Sequence, residues 1–172
     1  MIQNKENLLK SISEIPKFVK KDIYIKADEF VNGEVVESQD KYNQEKRLIA
    51  ITEKHKSPII STISKWYKIV QFADTFIPIV EHFADVDGEL HYYFGSSILS
   101  VFPKGSEFVT EEGYKIGLVV SNSVTKTLAI NVNFCILVNS RKVFLPKNIS
   151  GFRKLHLGNV EQLVTDYERF IG

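Results

Sequence analysis

Leu90–Gly95 (LHYYFG), Ser97–Pro103 (SILSVFP), Tyr114–Ser123 (YKIGLVVSNS), Lys126–Val138 (KTLAINVNFCILV) and Lys142–Pro146 (KVFLP) are the segments whose reading decides the fold. Each is dense in β-branched and aromatic residues, and short polar or glycine-bearing breaks part them, so they predict four or five strands in succession. No helical pattern intervenes between one and the next. Neighbours in sequence therefore pair as neighbours in an antiparallel or mixed sheet, not through parallel βαβ crossovers.

Outward from this block, Asn159–Ile171 carries Val160, Leu163, Val164, Tyr167 and Phe170 at helical spacing behind an Asn159 cap, which predicts a C-terminal helix over 159–171. Upstream, Asp87-Gly88 reads as a turn. Before it Phe72, Phe76, Ile79, Val80 and Phe83 predict a helix over about 73–83 with Asp74 as its cap, although Pro78 conflicts with its interior. Arg47–Glu53 and Ile63–Val70 read as strands, and Asp22–Glu37 reads as a hairpin around Asn32-Gly33, with polar Ser38–Arg47 as a connection. Leu8, Leu9, Ile12, Ile15 and Val19 predict an N-terminal amphipathic helix interrupted by Pro16. The order predicts an α+β class, a mostly antiparallel or mixed sheet with helices near the N-terminus, centre and C-terminus. One domain over 1–172 is expected, with a weak boundary near 37–46.

A chain of 172 residues, 44% hydrophobic and 25% charged, has the balance of an ordinary globular domain that buries a core. No run approaches the roughly 18 consecutive apolar residues of a membrane span, and MIQNKENLLKSISEIPKF lacks the apolar block of a secretory signal. A cytoplasmic protein with no membrane partner is the expectation, in the host cytoplasm if the source is viral. The single Cys135, inside AINVNFCILV, reads as a small buried thiol with no disulfide partner.

Charge is segregated along the chain although its net value is only +1. Asp74, Glu81, Asp85, Asp87, Glu89, Glu107, Glu111 and Glu112 face one lysine, Lys104, between Asp74 and Glu112. From Gly113 to Val160 there are seven basic residues and no acidic one. Such segregation focuses a field if the cations converge on one face.

Neither a glycine-rich phosphate loop nor G-x-S-x-G occurs, and one cysteine cannot assemble a thiolate zinc site, so no cofactor is predicted and catalysis is not the expectation. His82-x-x-Asp85-x-Asp87-Gly88-x-x-His91 holds two imidazoles and two carboxylates within ten residues, but the pattern reads first as a solvated acidic loop. Ser121-Asn122-Ser123 reads as a turn between strands. The basic set Lys115, Lys126, Arg141, Lys142, Lys147, Arg153 and Lys154 is interleaved with Tyr114, Phe144, Phe152 and His156, a mixture suited to phosphates and stacked bases. Against it stands the plainer account, in which the rings are core and the lysines keep the surface wet. The pairs Arg141-Lys142 and Arg153-Lys154 are expected to project outward together beside turns. In Trp66-Tyr67, alternation places one ring outward and one inward, with Trp66 favoured as the outward ring.

From about Lys46 to about residue 160 the order of segments resembles a phage- and plasmid-carried family, the domain-of-unknown-function group numbered 932. The residues that carry the resemblance are RLIAITEKHKSPIISTISKWYKIVQFADTF, which is similar to that family's strand pair ending in YKIVQ before a helix, GLVVSNSVTKTLAINVNFCILV with its Asn-Ser element, and FRKLHLGN. The chain departs from the pattern at Val124-Thr125-Lys126, where His-Asp-Gly is common, and at Val138-Asn139, where Cys-Asn is. The family brings no activity; the resemblance implies an origin in a mobile element.

These readings converge on a non-enzymatic nucleic-acid-binding accessory protein of a virus or plasmid, with single-stranded nucleic acid as partner. The alternative is a protein-interaction module or homodimeric factor that binds a host protein through an acidic surface. A third expectation is a metal-dependent enzyme using His82, Asp85, Asp87 and His91.

Overall fold

Apolar residues repeated at three and four along Lys5–Glu14 and Phe72–His82 form helices α1 and α2, and the alternating or wholly apolar runs form strands. The computed structural model describes residues 1–26, 28–31, 34–37, 45–52, 59–63, 67–125, 130–145 and 151–154. Its strands are β1 (Gln3–Asn4), β2 (Val19–Lys26), β3 (Asp28–Val31), β4 (Glu34–Glu37), β5 (Glu45–Thr52), β6 (Ser61–Ile63), β7 (Val86–Tyr93), β8 (Ser96–Pro103), β9 (Lys115–Ser123), β10 (Ile130–Val138), β11 (Arg141–Phe144) and β12 (Gly151–Lys154). The class is α+β, as the sequence predicts.

The main sheet runs β1-β7-β8-β9-β10-β11, and β12 pairs with the first half of β10 on the side where β11 pairs with its second half. Every pairing is antiparallel, and two-residue turns join β7 to β8 and β10 to β11. Separately, β2-β5-β6 form a three-stranded sheet and β3-β4 a hairpin with Val31 opposite Glu34, the register that Asn32-Gly33 predicts.

Both helices lie on one face of the main sheet. Leu8 and Ile12 of α1 and Phe72, Phe76, Ile79 and Val80 of α2 are buried with Leu99, Val101, Leu118, Val120, Ile130 and Val132 from the strands. Pro16 ends α1 by forcing Ile15 out of the helical region (φ −62°, ψ 131°). Asn4 caps its start, its side chain accepting from the Asn7 N–H at 3.0 Å.

Several local expectations are overridden. Asp87-Gly88 is not a turn but lies inside β7, because β1 pairs there and α1 presses on it: a Cβ at Gly88 would stand 2.6 Å from the Ser100 carbonyl and 2.7 Å from Leu8 Cδ2. Asp74 lies in the first turn of α2 and does not cap it. The N-cap is Gln71, whose side-chain amide instead pairs with both backbone groups of Phe18 at 3.0 and 2.9 Å. Pro78 sits within α2, which tolerates it. Ser121–Ser123 belong to β9 and form no turn. Of the strand predicted over Ile63–Val70, residues 64–66 lie outside the described residues; among the others Ile63 falls in a strand, β6, Tyr67 makes an isolated bridge and the chain then enters α2. The predicted helix over 159–171 lies outside the described residues.

Candidate functional site

Register carries one line of residues across five strands. His91 faces Ile98, Ile98 faces Ser121, Ser121 faces Asn131, and Asn131 faces Arg153. Opposed residues share a face, and Leu99, Val120 and Val132 beside them point into the helix-covered core, so the row stands on the face away from the helices. Four strand spacings of about 4.8 Å give it a length of about 19 Å. His91 is largely exposed and Ile98 is 40% exposed, while Ser121 and Asn131 are half-buried and joined by an Asn131 Nδ2 to Ser121 Oγ hydrogen bond at 3.4 Å. The row therefore offers an imidazole, a hydroxyl and an amide across a sheet, with an arginine position at its end.

Beside the row the same face closes on itself. Lys142 of β11 stands three strands from Ser100 and four from Glu89, about 14 and 19 Å in a flat sheet. Nevertheless its Nζ donates to Ser100 Oγ at 2.7 Å and to Glu89 Oε2 at 3.0 Å. A lysine stem spans only about 6 Å, so the sheet must coil strongly to bring β11 over this corner. Beneath the coil Phe102, Val119 and Cys135 form a second small core with Leu137 packed against it. Burial pushes the Cys135 thiol up, partly offset by the Lys142 ammonium.

This coil joins the two charge segments. The Lys142 hydrogen bond holds the Glu89 carboxyl below its usual range against the opposing effect of burial, with a smaller contribution from His91, whose Nε2 is 3.6 Å away. Lys104 bridges Asp87 at 2.9 Å and Asp85 at 3.5 Å, and its ammonium is correspondingly raised, first by the Asp87 hydrogen bond. The β7 carboxylates are thus compensated within the chain.

Of the seven basic residues singled out by sequence, Lys115 and Arg141 are exposed and make no ion pair among the described residues. Lys142 is committed to Glu89 and Ser100. Arg141 and Lys142 do not project together: they are consecutive in β11, and strand alternation sends them to opposite faces. Arg153 and Lys154 likewise hold consecutive register positions, opposite Asn131 and Ile130. Lys126 and Lys147 lie outside the described residues, as do Trp66 and His156. Tyr114 and Phe144 are exposed at 39% and 55%, not core. Tyr67 is the inward ring, its hydroxyl donating to the Ser123 carbonyl at 3.0 Å.

The His82 to His91 cluster does not converge. His82 packs edge-on against Phe83 at the end of α2, Asp85 and Asp87 turn to Lys104, and His91 turns to Glu89. Among the described residues no group of three or more His, Cys, Asp or Glu side chains gathers as a metal ion requires. Ser123 and Asn122 are buried and structural. Asn122 Nδ2 donates to the Val70 carbonyl at 3.2 Å and to Thr75 Oγ1 at 3.3 Å, and Ser123 Oγ contacts Thr125 Oγ1 at 2.7 Å. The row is not visible in the sequence, where spacing groups His91 with His82, Asp85 and Asp87 and not with its partners across the sheet. No family model matches the chain, and neither a curated protein nor a solved structure matches it.

Proposed function

We propose that the protein is a non-catalytic nucleic-acid-binding protein that lays a single strand across the open face of its main sheet. The observation that carries the reading is the row His91, Ile98, Ser121, Asn131 and Arg153, on a face that the helices leave uncovered. A line of mostly polar residues about 19 Å long measured along the sheet accommodates about three nucleotides of extended backbone. In this reading the His91 ring stacks on a base, Ser121 and Asn131 hydrogen-bond base edges or sugar, and Arg153 and Lys115, whose register positions share the row's face, supply phosphate contacts, whereas the positions of Arg141 and Lys154 fall on the other face. Lys126 and Lys147 complete the basic set. The origin in a virus or plasmid that the resemblance implies belongs to the same reading.

Fluorescence anisotropy of labelled single- and double-stranded oligonucleotides at two salt concentrations tests it. Salt-sensitive binding that prefers single strands is expected, weakened severalfold by Arg153→Ala and by Asn131→Ala. Absence of binding at low salt, or indifference to both substitutions, refutes the assignment of the row.

A further inference from the structure

The turn between β7 and β8 pairs unusual chemistry with unusual exposure. Phe94 and Gly95 both have positive φ, 41° and 79°, the signature of a tight two-residue hairpin turn in which asparagine is the preferred first residue. A bulky phenylalanine there is strained, and most of it is left in solvent: Phe94 is 60% exposed and the adjoining Tyr93 84%. The second feature is a groove of about 540 Å³ where α1 ends and α2 begins, walled by Ile12, Ile15, Pro16, Phe18, Ala73 and Ile77. Phe72, the first residue of α2, also lines this groove, and its ring centroid is 5.9 Å from that of Tyr92 beside the turn. Knob and groove therefore sit at the same end of the molecule.

We propose that two copies of this chain form a symmetric dimer in which the Tyr93-Phe94 tip of each enters the α1–α2 groove of the other. Because both features occur at one end of each copy, the exchange is self-complementary and closes as a two-fold pair without growing into a filament. Each aromatic ring buries about 150–250 Å². Exposed shares of 84% and 60% leave about 430–720 Å² on the four rings, and with the groove walls they cover about 900–1,400 Å² in total, the lower end of specific interfaces. The groove lies on the helix side and the polar row on the other; Tyr93, two positions from His91, borders the row, so substitutions at Phe94 and Ala73 rather than at Tyr93 separate dimerisation from nucleic-acid binding.

Sedimentation equilibrium of the full chain tests this, alongside Phe94→Asn and Ala73→Glu. Asparagine tolerates positive φ, so Phe94→Asn is expected to melt at the same temperature as the parent chain or higher under conditions where both are monomeric. Glutamate suits the first turn of a helix, so Ala73→Glu keeps α2 while filling the groove. A dimer at micromolar concentration is expected for the parent chain, with association weakened about tenfold or more in each variant. A parent chain that stays monomeric at high micromolar concentration, or a dimer whose affinity is unchanged by either substitution, overturns the proposal.

Discussion

Replacing Lys142 with methionine keeps the stem and removes the ammonium group, and what it strands sets the cost. Ser100 Oγ, in a residue with no exposed surface, loses its 2.7 Å donor, and Glu89, 24% exposed, loses its 3.0 Å partner. A hydrogen bond to a charged group contributes about 1.5–3 kcal/mol, but Lys142 is itself about one quarter exposed, and solvent screening brings the net loss to about 2 kcal/mol. For a chain of this size that lowers Tm by about 4–8 °C at pH 7. The Glu89 carboxyl is held below its ordinary value in the folded chain, so its contribution is complete above the unfolded value of about 4.3 and is lost as pH falls through the folded one. The gap between parent and variant should therefore narrow on acidification from pH 7 to pH 3. Thermal unfolding followed by circular dichroism over that range, with Glu89→Gln and the double variant, measures it. The same variant should loosen the coil over Cys135, whose thiol should react faster with a disulfide reagent. A Tm shift below about 1 °C, a gap independent of pH, or additivity with Glu89→Gln would refute the claim that Lys142 holds the coil.

Gly88→Ala should destabilise by about 1–3 kcal/mol, read as a lower urea midpoint, since its Cβ meets the Ser100 carbonyl at 2.6 Å and backbone cannot yield as a side-chain tip does. Phe76→Ala should cost about 3–5 kcal/mol in the same assay, because the ring is fully buried between the α2 layer and the sheet. Asn122→Asp loses both hydrogen bonds from the Nδ2 group and buries a carboxyl whose folded pKa is raised; its stability deficit should grow from pH 4 to pH 7, as the unfolded chain gives up the proton that the folded chain keeps.

The order of elements was readable because local chemistry and tertiary context agree over most of the chain. Leu8 and Ile12 announce α1, Pro16 ends it, and Asn32-Gly33 sets the β3–β4 register. Packing outweighs the local signal at particular positions. Asp87-Gly88 has turn chemistry, but glycine is needed there to let α1 approach the sheet. Ser121-Asn122-Ser123 looks like a loop, yet inside the fold Asn122 Nδ2 donates to Val70 and Thr75, Ser123 Oγ pairs with Thr125 and Ser121 Oγ accepts from Asn131, although the buried Asn122 Oδ1 has no partner among the described residues. Strand β8 shows no alternation because it is covered on both sides, by helices over Leu99 and Val101 and by the coiled corner over Ser100 and Phe102. The row was illegible for a different reason: its five members are distant in sequence, and only register unites them.

The same coil limits how strongly a polyanion can be held. Charge counted along the chain suggests seven cations acting together, but Lys142 is spent on Glu89, and Arg141 stands on the face opposite to Lys142. Arg153 and Arg141 are opposite Asn131 and Val138, seven positions apart on β10 and so about 23 Å apart along the strand direction. A strand that crosses the row meets Arg153 and must turn along β10 to reach Lys115, while Arg141, an odd number of positions away, stands on the other face, so about two to three phosphates are neutralised at once. Single-stranded binding then has a log–log salt slope of about −1.4 to −2.1, from about −0.7 per phosphate. A slope steeper than about −4 would mean that the cations act as one cluster, and would place the contact surface away from the row.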